Sequence, residues 1–191
     1  MKKLGFLMLM LAFVLMLGGN ALAQGDNSYY FTTYFSNANT ANAPDATLRA
    51  INDGEYPGGN LWAAIYVFDD SEELTECCNC LITPDGLLSE SINKNLTANP
   101  LTGIKPTRGV IKVISSVNGN TNGAEDTEPA TGLRVWATHI QKLTSGFAVT
   151  ETVAADSNLS ASEENLLDSL CYYDRLLSGH PCTCTPEDQD F

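Results

Sequence analysis

The chain has 191 residues, of which 10 are Lys or Arg and 23 are Asp or Glu, giving a formal charge of −13. Such a balance leaves no basic face to neutralise phosphates, which argues against nucleic-acid binding. Beyond the N-terminus no apolar run approaches the length of a bilayer span, so the mature chain reads as lacking a membrane span.

In chain order, residues 1–23 carry Lys2 and Lys3, an apolar run from Leu4 to Leu17, and Ala21-Leu22-Ala23. This is the pattern of a secretory signal peptide with an A-x-A cleavage site, so the mature protein is expected to begin at Gln24. The remaining 168 residues suit one domain, and loss of the two lysines moves the formal charge to −15. The expected location is extracellular or periplasmic. No cysteine stands at the cleavage site to take a lipid anchor.

Residues 24–46 read as an N-terminal strand followed by a polar linker. YYFTTYF (Tyr29 to Phe35) is aromatic and β-branched, and an extended segment puts Tyr29, Phe31, Thr33 and Phe35 on one face. SNANTANAPD (Ser36 to Asp45) is small and polar and reads as a loop. Residues 47–191 form the expected sandwich. ATLRAIN and the turn-rich DGEYPGGN lead into LWAAIYVFD (Leu61 to Asp69), whose almost unbroken apolar character fits a central strand covered on both faces. LTECCNCLIT (Leu74 to Thr83) ends at the turn Pro84-Asp85-Gly86, and its hairpin partner is expected within Leu87 to Leu96. RGVIKVISS (Arg108 to Ser116) is a β-branched strand, Val117 to Gly132 a long polar loop, and 132–143 with 146–154 a hairpin around Thr144-Ser145. In residues 160–179, Ser160 followed by Glu163 forms a capping box, Gly179 suits a helix end, and Leu166, Leu167, Leu170, Cys171, Tyr173, Asp174 and Leu177 follow a helical period. Asp174 is the one charged member of that stripe. The fold expected is all-β: an antiparallel β-sandwich, loosely immunoglobulin-like, with one C-terminal amphipathic helix.

Six cysteines fall into two groups, Cys77, Cys78 and Cys80, then Cys171, Cys182 and Cys184. Their even number in an exported chain reads as a disulfide framework. In a strand Cys78 and Cys80 share one face and Cys77 takes the other. Cys182 and Cys184 have the same spacing, so pairing with Cys78 and Cys80 would leave Cys77 for Cys171 and tie down a tail poor in apolar residues. Fifteen connectivities are possible for six cysteines, and spacing does not choose among them. Two other chemistries compete. Cys77 to Cys80 is a C-x-x-C, but it lacks the helix N-terminus and βαβ setting that activate such thiols. His180, Cys182 and Cys184 with a cysteine of the first group could hold zinc, although disulfide formation competes for the same sulfurs.

His139 shares a strand face with Val135 and Ala137, and no G-x-S-x-G elbow accompanies it to suggest a nucleophile. The acidic groups at 69–73, 125–128 and 187–190 match neither an EF-hand nor a calcium-binding nonapeptide repeat, and read as solvated surface. Lys94, Lys105, Arg108 and Lys112 lie close enough in sequence to form a local basic binding patch. The alternating strand at residues 29–35 could pair with a second copy, giving self-association. No cofactor is implied.

The combination CCNCLITPDGLLSESINKNLTANPLTG, RGVIKVISS, GLRVWATHIQ and CTCTPED resembles a group of secreted bacterial proteins that recur in many copies in soil bacteria. The resemblance covers nearly all the mature chain and implies export and a cysteine framework, without supplying a catalytic residue. The expected function is an exported non-enzymatic structural or binding module of the envelope or extracellular space. Binding of a small ligand or metal is the alternative, and hydrolase or thiol oxidoreductase activity is third.

Overall fold

The computed structural model describes residues 28–119 and 124–178. The expected signal sequence at 1–23, the tail with His180, Cys182 and Cys184, and the acids at 187–190 lie outside them. Among the described residues the strands are β1 (Tyr30–Ser36), β2 (Thr47–Asn52), β3 (Leu61–Asp69), β4 (Leu74–Ile82), β5 (Leu87–Ser91), β6 (Arg108–Ser116), β7 (Leu133–Lys142), β8 (Phe147–Val153) and β9 (Ala155–Asp156), followed by one helix, α1 (Ala161–Ser178). They form two antiparallel sheets, β4-β3-β6-β1-β9 and β5-β2-β7-β8.

Strand alternation explains how the sheets meet. Leu61, Ala63, Ile65 and Val67 of β3, with Ile111 and Val113 of β6, point into a core completed by Leu48 and Ala50 of β2 and Leu133, Val135 and Ala137 of β7. The other face of β3 carries Ala64 and Tyr66 into a second cluster with Tyr30, Cys77, Ile114, Leu167 and Cys171. β3 is therefore covered on both faces, as its composition predicts, and lies between β4 and β6. Gly109 of β6 is required by close packing: a Cβ there would sit 1.9 Å from the Phe68 carbonyl oxygen and 2.8 Å from the Phe35 ring.

β1 lies within its own sheet. All seven of its residues pair with β6, and Phe31 and Thr32 also pair with β9. Phe31 and Phe35 enter the core between the sheets as expected, but Tyr29 precedes the strand and packs against the second cluster instead. The loop after β1 is fixed by asparagines. Asn37, Asn39 and Asn42 take positive φ of 57°, 53° and 64°, a region asparagine tolerates better than most residues. The Asn39 amide donates to Thr97 Oγ1 at 3.0 Å and to the Pro106 carbonyl at 2.9 Å.

The expected hairpin between 74–83 and 87–96 does not form. β4 pairs with β3, whereas β5 pairs with β2 in the other sheet. Pro84-Asp85-Gly86 is a tight turn, with Asp85 at φ 60° and the Gly86 N–H donating to the Thr83 carbonyl at 2.8 Å. It carries the chain between sheets because Asn52, at the end of β2, exchanges backbone hydrogen bonds with Asp85 and Gly86. The Asn52 side chain also donates to the carbonyls of Gly59 and Ile82. β5 ends at Ser91, and Ile92–Leu96 form a single π turn with Ile92 and Leu96 buried.

The β7–β8 hairpin and α1 follow the sequence expectation. Ser160 caps the helix, its hydroxyl accepting from the Glu163 N–H at 3.1 Å. The buried stripe is narrower than the apolar pattern predicts: only Leu167, Cys171 and Asp174 are buried. Leu166, Tyr173 and Leu177 are exposed, because α1 covers only part of the β4-side face of its sheet. No described helix is long and apolar enough to cross a membrane.

Candidate functional site

The cysteine-bearing strand β4 and the helix facing it form the most chemically dense region described. Alternation turns Cys77 toward α1, where it is bonded to Cys171 across a Cα–Cα distance of 5.7 Å. Cys78 and Cys80 face the opposite way into the core between the sheets, and both are disulfide-bonded as well. The C-x-x-C at 77–80 is thus not a bonded pair of its own. A disulfide sulfur is no thiolate, so the cysteines of this group present no zinc ligand in their oxidised state. Among the described residues no group of three or more His, Cys, Asp or Glu side chains is arranged to hold a metal ion.

Carboxyl groups accompany the sulfurs. Glu90 of β5 is buried, with Oε1 3.8 Å from Cys80 Sγ and Oε2 accepting from Asn95 Nδ2 at 2.6 Å. Glu76, next to Cys77, is 4% exposed. Burial first, and then the nearby Asp174 carboxylate, push its pKa up to about 8. Asp174 is also 4% exposed. Its Oδ2 lies 4.0 Å from Cys77 Sγ, Oδ1 has no hydrogen-bond partner among the described residues, and burial raises its pKa.

Elsewhere on the helix polar side chains meet partners on the sheet and the preceding loop, with Arg175 Nε left unpaired among the described residues. The Tyr66 hydroxyl donates to the Ala124 carbonyl at 2.9 Å and to Asp168 Oδ1 at 3.0 Å, and Asp168 accepts from Thr127 Oγ1 at 3.2 Å. Burial, followed by the charge of Asp168, drives the Tyr66 pKa far upward, so this phenol stays a donor. Arg175 reaches Glu125 at 2.7 Å. Lys112 pairs with Glu163, and its ammonium sits 4.9 Å from the centre of the Phe68 ring.

Two clefts flank α1 where Leu170 overhangs the sheet. One, of about 450 Å³, lies against Phe68, Val110 and Leu166. The other, of about 380 Å³, runs between the C-terminal half of α1, the start of β4 and the loop after the π turn.

The remaining sequence candidates are scattered. His139 does share the inner face of β7 with Val135 and Ala137. Its ring stacks on Tyr34 at 4.2 Å, its Nε2 meets Thr152 Oγ1 at 2.7 Å, and burial lowers its pKa. Of the basic candidates, Lys94 and Lys105 are exposed. Arg108 is paired with Asp70 at 2.6 Å and Lys112 with Glu163, so two of the four already have carboxylate partners. Asp69 works locally, its Oδ1 accepting from the N–H groups of Ser71 and Glu73. Glu76, Glu90, Tyr66 and Asp168 escape sequence reasoning, because polar residues inside apolar strands or on a helix flank have no spacing that marks them. Asp174 alone is signalled, by being charged within an apolar stripe.

No protein-family model matches the chain, and no curated protein matches it. Among solved structures, the crystal structure of Thermotoga maritima 1070 is similar over 72% of this chain and 99% of that one, at 13% identity and a TM-score of 0.44. What is shown is a mostly antiparallel β fold of two sheets with one helix fixed to it by a disulfide.

Proposed function

We propose that the protein is an exported, non-enzymatic structural or binding module of the cell envelope or extracellular space, built on a β-sandwich that is immunoglobulin-like in the loose sense. The observation that supports this reading is the oxidation of Cys77, Cys78 and Cys80 on one strand, since disulfides persist in oxidising compartments and are rare in the cytosol. In this reading Cys182 and Cys184 are the partners of Cys78 and Cys80, so the tail is bonded to the strand that also holds the helix. The intact mass of the exported protein, native and denatured, with alkylation before and after reduction, tests it. The expected result is a chain beginning at Gln24 with three disulfides and no metal. Two or more free thiols, or bound zinc, would overturn it and direct attention to His180, Cys182 and Cys184.

A second reading, self-association through residues 29–35, is supported by the partial cover of β1. Among the described residues, β9 pairs with Phe31 and Thr32 only, and Thr33 to Ser36 have a strand partner on the β6 side alone. Sedimentation of the mature chain and of a chain lacking Gln24 to Pro44 tests this. Multimers of the first that vanish in a folded second would support it; a monomeric mature chain would end it.

A further inference from the structure

We infer that the cleft between the C-terminal half of α1 and the start of β4 is a binding site for a small primary alkylammonium ion, its hydrocarbon body on the leucines and its charged head on Asp174. This deepens the binding-module reading and rests on it. Three observations meet here. The cleft, at about 380 Å³, is of small-ligand size. Leu101, Leu170 and Leu177 line it as apolar wall, whereas its charged lining residues, Glu72, Glu73 and Asp174, are all acidic. Asp174 is buried, and Oδ1 has no hydrogen-bond partner among the described residues. Buried polar atoms are almost always paired, so an orphaned carboxylate oxygen on a residue that lines a cleft calls for a donor beyond the described residues. A charge-assisted N–H donor satisfies it best. The leucines select the rest of the ligand: a hydrated inorganic cation would gain nothing from them, and an anion would meet three carboxylates. An ammonium on a short alkyl chain uses both halves of the cleft.

The test is titration of the ¹⁵N-labelled, disulfide-intact mature protein with hexylammonium chloride, with 1-hexanol and sodium hexanoate as matched probes. Saturable shifts are expected for the ammonium at Asn99 to Thr102 and in the second half of α1. Hexanol should bind at least about tenfold more weakly, and hexanoate more weakly still. Asp174→Asn keeps the shape and removes the charge. It should weaken hexylammonium binding about tenfold or more while leaving hexanol unchanged. If Asp174→Asn does not fold, the rim variant Glu72→Gln/Glu73→Gln carries the test, with an expected loss of about two- to fivefold from long-range attraction. Equal binding of hexylammonium and hexanol, unchanged binding in the variants, or shifts confined elsewhere would overturn the inference. Failure here would leave the three-disulfide mass untouched, whereas free thiols in the mass measurement would remove the module reading whatever the titration shows.

Discussion

The two faces of the β4-β3-β6-β1-β9 sheet are covered by different means. On one side the facing sheet brings rows of aliphatic residues, with Leu48, Leu88, Leu133 and Val135 all at 1% exposure or less. On the other, α1 contributes only Leu167 and Cys171 as buried apolar groups, and the contact is completed by the Cys77–Cys171 bond, the Tyr66–Asp168–Thr127 hydrogen bonds and the Arg175–Glu125 pair. A wide apolar contact holds through burial alone, at about 25 cal/mol per Å² removed from water. A helix with two buried anchors needs a covalent link and directed polar bonds to stay in one place.

The largest effect should come from that link. Cys77→Ala with Cys171→Ala opens a crosslink spanning 94 residues, and the loss is expected at about 2–5 kcal/mol. Urea unfolding gives the total. Hydrogen exchange should show α1 amides losing protection ahead of those in β3 and β6. A loss below about 1 kcal/mol would mean that the polar contacts hold the helix instead.

A matched pair of truncations sharpens the contrast. Ile65→Ala leaves a cavity between the sheets, where neighbours on both sides restrict collapse, and about 3–5 kcal/mol should be lost. Leu167→Ala should cost about 2–3 kcal/mol, because the exposed flank of α1 can settle into the space. Equal losses by chemical denaturation would show that the helix face is packed as tightly as the core.

The helix side also titrates. Glu76 is expected to keep its proton until about pH 8 in the folded protein, against an ordinary value of 4.5. Between those values the native state binds more protons than the unfolded chain, so stability falls as pH rises from 4.5 to 8 and levels off above that. The raised pKa of Asp174 acts in the same direction. Glu76→Gln should flatten the slope and be the more stable form at pH 9, by an amount on the order of a few kcal/mol. A parallel slope in thermal unfolding from pH 5 to 9 would show that Glu76 is charged throughout.

Tyr66→Phe should be smaller again. The phenyl ring stays packed, but Asp168 and the Ala124 carbonyl each lose a donor, for about 1–2 kcal/mol. In combination with Asp168→Asn, thermal unfolding should give less than the sum of the single losses, since both changes break one network.

The difference between the faces was partly legible in the sequence. The near-continuous apolar run of β3 announces cover on both sides, and alternation alone turns Cys77 away from Cys78 and Cys80. The width of the helix contact was not legible. Leu166, Tyr173 and Leu177 fit the helical period as well as Leu167 does, and only the position of the sheet edge decides which are covered. The route after β4 was hidden for a related reason. Pro84-Asp85-Gly86 specifies a tight turn, but the change of sheet depends on Asn52, some 30 residues earlier, which holds the turn by side-chain and backbone bonds. The cleft beside Asp174 depends on three segments distant in sequence, and periodicity within one element carries no trace of it.

The smallest expected effect separates two ion pairs that look alike in sequence. Arg108 and Lys112 stand four residues apart on β6, point to the same face, and each meets a carboxylate. The Arg108–Asp70 pair has side chains 70% and 49% exposed, whereas the Lys112–Glu163 pair has 25% and 26%. Water and salt screen the first, so Arg108→Ala should change stability by no more than about 0.5 kcal/mol. Lys112 lies over the Phe68 ring, and its partner Glu163 also accepts from the Tyr30 hydroxyl at 3.2 Å. Removing it therefore disturbs a ring contact and a shared acceptor at the first turn of α1, for about 1 kcal/mol. Raising the salt concentration in the unfolding experiment should erase most of the Arg108 effect and leave most of the Lys112 effect. If both vanish together, Lys112 acts as a surface charge and the N-terminal end of the helix is held without it, by its cap, the Tyr30–Glu163 bond and Leu167.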